Sequence, residues 1–141
     1  LDWFLLAEPE HQAIQNWYSD LLHLYKKNKA MYEMDSDPAG FQWINADDCF
    51  RSIYSFMRHS KDGKKNLLFV CNFTPMERPD YRVGVPRRKQ LKLVLNSDDA
   101  KYGGKGEERP LIYKPVKQEC DGQKYSFAYP LPAYGVAVFE C

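Results

Sequence analysis

Read from its apolar and polar positions, the chain divides near Gly40 into a helical front and a strand-forming remainder. From Glu10 to about Lys27, the residues Ile14, Trp17, Tyr18, Leu21, Leu22 and Tyr25 recur at the three-and-four spacing of one helix face, which predicts an amphipathic helix. Pro9 suits the first helical turn. Glu8 and Glu10 favour its positive end, and Lys26, Lys27 and Lys29 its negative end. Ahead of the helix, Leu1, Trp3, Phe4, Leu5 and Leu6 form an apolar lead-in that has to pack on something. Behind it, Ala30 to Tyr32 adds a turn, and Asp35-Ser-Asp-Pro-Ala-Gly40 ends the helix and opens a linker.

The longest apolar run of the remainder, Leu67 to Cys71 inside Asn66–Pro75, is too short for a helix and predicts a strand buried on both faces. Ser52–Arg58 precedes it, and Asp62-Gly63 between the two is the strongest hairpin signal in the chain. Further strands are expected at Phe41–Ile44, Tyr81–Val85, Gln90–Leu95, Lys124–Tyr129 and Tyr134–Phe139, with an edge strand around Pro110–Lys117. Asn45–Cys49 reads as a polar turn, Leu91, Leu93 and Leu95 as one strand face, and Asp121-Gly122 as a second hairpin. About eight short strands at this spacing predict a mainly all-β fold, an antiparallel β-sandwich preceded by one helix.

Composition narrows the function. A chain of 141 residues supports one real core. With 20 basic against 19 acidic residues it lacks the basic excess of a nucleic-acid or membrane-surface binder. No apolar segment reaches membrane length. Cys49, Cys71, Cys120 and Cys141 have no C-x-x-C spacing, so no metal site is expected. Free thiols point to a reducing compartment, the cytoplasm. The chain opens Leu-Asp-Trp-Phe without Met, and is expected to begin inside a longer protein.

The candidate chemistry is thin. Asp47-Asp48, Asp98-Asp99 and Glu107-Glu108 are neighbouring acids in expected turns, whereas glycosidic chemistry needs carboxylates facing each other across a bond. His11, His23 and His59 have no partner at a diagnostic spacing. Tyr102-Gly-Gly-Lys-Gly106 lacks P-loop spacing and reads as a surface loop with unusual backbone angles. Asn72-Phe-Thr74 is a formal glycosylation acceptor, but a buried strand would leave it unused. Arg87-Arg88-Lys89 reads as a solvated turn. Aromatics make up 15% of the chain, so Trp3, Trp17, Trp43 and several tyrosines could stack on sugar rings, yet sequence alone does not separate an exposed platform from core.

Leu1-Asp-Trp-Phe-Leu-Leu6, Glu10-His-Gln-Ala-Ile-Gln-Asn-Trp17 and Asp20-Leu-Leu-His-Leu-Tyr25 resemble the end of the catalytic barrel of 1,4-α-glucan (glycogen) branching enzymes. The resemblance continues through Asp37-Pro-Ala-Gly-Phe-Gln-Trp-Ile-Asn-Ala-Asp-Asp48, Ser55-Phe-Met-Arg58, Val70-Cys-Asn-Phe-Thr-Pro75, Tyr81-Arg-Val-Gly-Val-Pro86, Leu95-Asn-Ser-Asp98 and Tyr102–Gly106. It covers nearly the whole chain in order.

That resemblance implies the α-amylase clan: a (β/α)₈ barrel followed by a C-terminal all-β domain, catalysing retaining transfer from an α-1,4 to an α-1,6 linkage with no cofactor. Residues 1–34 would be the last loop and helix of the barrel, and 41–141 the C-terminal domain. The family's nucleophile Asp, acid/base Glu and third Asp would lie upstream of Leu1, so no catalytic residue is carried onto this chain, which alone is expected to be inactive. Asp2 and Trp3 would stand near the active-site rim, the one pair with a claim to glucan contact. The implied partners are the barrel of the parent chain and, through it, glycogen. Two readings follow: a supporting domain, or a β-sandwich that binds glucan through exposed aromatics. The same domain of another hydrolase of the clan is a weaker alternative. A helix without its barrel is expected to lay its apolar stripe on the sandwich or on a second copy.

Overall fold

The computed structural model describes residues 2–141; Leu1 of the apolar lead-in lies outside the described residues. A 3₁₀ turn at Trp3–Ala7 leads into helix α1, Pro9–Lys27, with proline in the first turn where its missing N–H is harmless. Eight strands follow: β1 (Phe41–Asp48), β2 (Ile53–His59), β3 (Asn66–Asn72), β4 (Arg78–Val85), β5 (Leu91–Asn96), β6 (Ile112–Tyr113), β7 (Tyr125–Leu131) and β8 (Val136–Glu140). Six form one antiparallel sheet in the order β1-β2-β3-β8-β5-β6, and β4 pairs with β7 in a second sheet, as the expected sandwich requires.

β3 lies between β2 and β8, and all seven of its residues are buried. Alternation explains this. Leu68 and Val70 point inward, joining Ile53, Met57, Val83, Phe127, Tyr129 and Phe139 in the core between the sheets. Leu67 and Phe69 point to the outer face, against Ala30, Leu95 and Val138. The β2–β3 hairpin keeps an unbroken register from Ile53↔Asn72 to His59↔Asn66. Gly63, at φ 63°, supplies the left-handed residue of its turn, and Asp62 accepts from the Lys64 N–H at 3.0 Å. The Asp121-Gly122 turn is also present, both residues having positive φ.

Helix α1 lies on the outer face of the large sheet. Trp17, Leu21 and Leu24 pack against the outer cluster, and the Trp17 ring meets Tyr102 edge-on at 5.1 Å. Polar ties fix the helix there. Asp20 accepts from the Tyr102 hydroxyl at 2.6 Å and the Lys101 ammonium at 2.8 Å. Beyond the helix, Arg58 donates to the carbonyls of Ala30 and Met31 at 3.3 and 3.1 Å.

Three local expectations are corrected. Asn45–Cys49 is not a turn: β1 runs on to Asp48 with register shifts near Asn45 and Asp48. Tertiary bonds hold this polar strand end, Asn45 donating to Asp121 at 2.7 Å and Tyr81 to Asp48 at 3.1 Å. The Asp47-Asp48 pair therefore closes a strand. Leu91, Leu93 and Leu95 do not share a face. The register shifts between Leu93 and Leu95, so Leu91 and Leu93 enter the inner core while Leu95 joins the outer cluster. The helical stripe also divides: Trp17 and Leu21 face the sheet, but Ile14, Tyr18, Leu22 and Tyr25 remain exposed.

Candidate functional site: an open aromatic face

The outer face of the large sheet is wider than the helix that lies on it. Along one register row, Trp43 stands opposite Phe56, Phe56 opposite Phe69, Phe69 opposite Val138, and Val138 opposite Leu95. The row crosses five strands in the order β1, β2, β3, β8 and β5. Its β8–β5 end lies under the helix, where Val138 is fully buried. Its β1 end is open, and Trp43 is 53% exposed.

The open end is built from aromatic rings. Phe56 and Phe69 stack at 4.8 Å, and Phe41 stacks on Phe56 at 5.2 Å. Trp43 meets Phe41 and Phe56 edge-on at 5.0 and 5.8 Å. Tyr54 and Phe73 extend the cluster at 5.8 Å. Such rings suit the twisted sheet surface, where cross-strand neighbours sit within ring-contact distance. On helix α1, Ile14, Tyr18, Leu22 and Tyr25 are exposed as well.

The sequence candidates fall elsewhere. Asp2 precedes the 3₁₀ turn and its side chain caps nothing, while Trp3 beside it is 64% exposed. The acids serve the scaffold. Asp98 pairs with Arg109 at 2.9 Å, both side chains nearly buried. Asp48 holds Arg51 at 2.7 Å, and the Arg51 guanidinium sits over the Tyr81 ring. Burial, then the Asp48 carboxylate, pushes the Tyr81 hydroxyl well above the ordinary phenol range, so it stays protonated and donates. His23 is tied to the Ser19 carbonyl one turn earlier at 2.7 Å. Among the described residues no group of three His, Cys, Asp or Glu side chains is arranged to hold a metal ion.

Asn72 of the glycosylation pattern is buried. Its amide donates to the carbonyls of Met76 and Pro132, both at 2.8 Å, and its oxygen accepts from Thr74 N and Oγ1 at 3.0 and 2.7 Å. It is a clamp between loops. In the glycine loop, Gly103 and Gly106 have φ of 81° and 68°. The loop sits Tyr102 against the helix.

This arrangement, a two-sheet sandwich with a helix on its outer face, has known counterparts. The family model described as "Alpha amylase, C-terminal all-beta domain" matches residues 43–141. The chain belongs to that family.

Relatives of this alpha-amylase C-terminal domain are whole enzymes. A 1,4-alpha-glucan branching enzyme of Butyrivibrio fibrisolvens is 47% identical over 139 residues, 99% of this chain and 22% of its own length. Those of Halothermothrix orenii and Aquifex aeolicus are 39% and 40% identical, over 99% and 96% of this chain and 22% of their own lengths. The chain thus spans about a fifth of the length of the curated relatives it matches. The crystal structure of isomaltulose synthase from Klebsiella sp. LX3 superposes with a TM-score of 0.54 at 16% identity, covering 89% of this chain and 17% of that one, which establishes the shared fold. No helix among the described residues is long and apolar enough to cross a membrane.

Sequence alone names Trp43 as a candidate stacking ring but not the platform around it, because Trp43 and Phe56 become neighbours only through strand register. The available signal was the alternation of Phe41 with Trp43, and of Tyr54 with Phe56, on strands that were themselves predicted.

Proposed function

We propose that this chain is the C-terminal part of a 1,4-alpha-glucan branching enzyme, and that its task is to cover and stabilise the catalytic barrel. The relatives that carry the name match it over 96–99% of its length. Residues 1–34 are the terminal loop and helix of that barrel, and residues 41–141 are the supporting domain. The observation that carries the supporting role is the open apolar face: the helix row at Ile14, Tyr18 and Leu22 and the rings around Trp43. A water-facing surface of this kind is stabilised by a partner that dries it. The catalytic acids belong to the barrel, the protein works in the cytoplasm, and neither nucleic acid nor membrane is a partner. Asp2 and Trp3, ahead of the helix, face the glucan at the rim of the active site.

The full-length protein, incubated with amylose, is expected to form α-1,6 linkages visible as a new anomeric proton signal, while residues 1–141 alone form none. Hydrolysis without new α-1,6 linkages would exclude the branching reading.

The exposed Trp43 supports a second reading, in which the aromatic face binds glucan itself. Retardation of this chain in a glycogen-containing gel, abolished by Trp43→Ala, would favour it over the supporting role.

A further inference from the structure

One end of the sandwich holds a cavity of about 220 Å³ that neither the aromatic face nor the helix uses. Its floor is the end of the inner core: Met57 of β2, Val85 of β4, Leu91 of β5 and the side chain of Cys141. One wall is polar, its groups lying against one another. His59 is held between side-chain amides, with Nδ1 2.9 Å from Asn66 Oδ1 and Nε2 3.2 Å from Gln42 Oε1. The opposite rim is the loop after β4, which contributes Arg87 and Lys89.

The charge on this rim is one-sided. Among the described residues neither Arg87 nor Lys89 forms an ion pair, and no acidic side chain lines the cavity. Lys89 donates to the Lys64 carbonyl at 3.3 Å, which draws it toward the mouth-side hairpin. An apolar floor beneath two uncompensated cations selects a ligand with an apolar body and an anionic head. At about 220 Å³ the cavity is small, so the body it takes is small. No Phe, Tyr or Trp side chain lines the cavity to offer a sugar a broad stacking platform, which separates this site from the aromatic face.

We propose that this cavity is a binding site for a small amphiphilic carboxylate, its apolar body on Met57, Val85 and Leu91 and its head group between Arg87 and Lys89. Burial keeps the Cys141 thiol protonated, pushing it up to about 11, so the thiol adds no negative charge to the floor.

The test uses octanoate as probe, with acetate and octan-1-ol for the head and the body alone. The full-length protein carrying this chain is labelled at methionine methyl groups. Met57 and the exposed Met76 are assigned by Met57→Leu and Met76→Leu. Octanoate is expected to shift the Met57 methyl signal saturably and leave Met76 in place. Acetate and octan-1-ol should each bind about tenfold more weakly or worse, and Arg87→Ala with Lys89→Ala should weaken octanoate by about tenfold, the size expected for two solvent-screened charge contacts. Arg87 and Lys89 are exposed, so their removal leaves the core intact. A Met57 signal that does not move at millimolar octanoate overturns the proposal. So does equal binding by the double variant, or by octan-1-ol.

Discussion

Phe56 and Phe69 face each other across β2 and β3 with ring centroids 4.8 Å apart and planes 6° from parallel. They stand where the covered half of the outer sheet face meets the open half. Phe69 is buried and belongs to the outer cluster, whereas Phe56 is only partly buried at its margin and carries Phe41 and Trp43. Phe69→Ala removes a ring from beneath the helix and is expected to lower stability by about 3 to 4 kcal/mol. Phe56→Ala leaves a space open to water and should cost about half as much. Urea unfolding followed by circular dichroism measures both. Equal losses would mean that the two rings are equally covered in solution.

Two glycines separate steric crowding from backbone strain. A Cβ on Gly104 would lie 2.3 Å from the Asp98 carbonyl carbon and oxygen, and that carbonyl is held by the Gly106 N–H at 2.8 Å. A Cβ on Gly63 would meet nothing within 4 Å, but its φ is 63°. Gly104→Ala is expected to cost about 2 to 3 kcal/mol through displacement of the loop that seats Tyr102. Gly63→Ala should cost about 1 kcal/mol through the left-handed backbone alone. The Trp17 fluorescence spectrum should shift for the first variant only.

Asp20 links helix stability to pH. The Lys101 ammonium, then the Tyr102 hydroxyl, hold its carboxyl below the ordinary value of 3.8. A carboxyl lowered by folding contributes stability at pH values above its unfolded pKa. That contribution is lost as pH falls through the folded pKa. Asp20→Asn should therefore destabilise slightly at pH 7, and the difference should shrink as pH falls below the ordinary value of 3.8 and through the lowered folded pKa. The effect is small because the pair is substantially exposed. Melting curves of both proteins across this range check the sign: a gap that widens on acidification would contradict it.

The cysteines differ in reactivity for one reason, access. Cys49 is exposed, whereas burial covers Cys71 in β3 and pushes its thiol up to about 11. At pH 7.5 a maleimide should modify Cys49 within minutes and leave Cys71 untouched until the protein unfolds. Peptide mass mapping distinguishes them.

Local rules made much of this fold legible. Asp62-Gly63 identifies its hairpin because a left-handed glycine is a local requirement, and the apolar run Leu67–Cys71 identifies the central strand because all seven residues of Asn66–Asn72 are buried. What local rules missed depends on partners distant in sequence. Leu95 leaves the leucine face because the ladder to β8 shifts between Leu93 and Leu95. Asn45 stays in a strand because it donates to Asp121, 76 positions away. The helix periodicity marked Ile14, Trp17, Tyr18 and Leu21 alike, and only the sheet decided that Trp17 and Leu21 turn inward. The aromatic face is hardest to see, since its rings come from β1, β2 and the residue that follows β3 as well as from β3 itself.

In the function proposed above, the rest of the parent protein dries this open face. Hydroxyl-radical footprinting of the isolated chain and of the full-length protein, normalised to a soluble dosimeter, tests it most directly. Trp43 is 53% exposed and Tyr18 61% exposed in this structure, so both should react readily in the isolated chain. In the full-length protein their modification rates should fall by about tenfold, as for residues at the core of an interface. Unchanged rates at both residues would contradict the account and leave the aromatic face as a surface open to solvent.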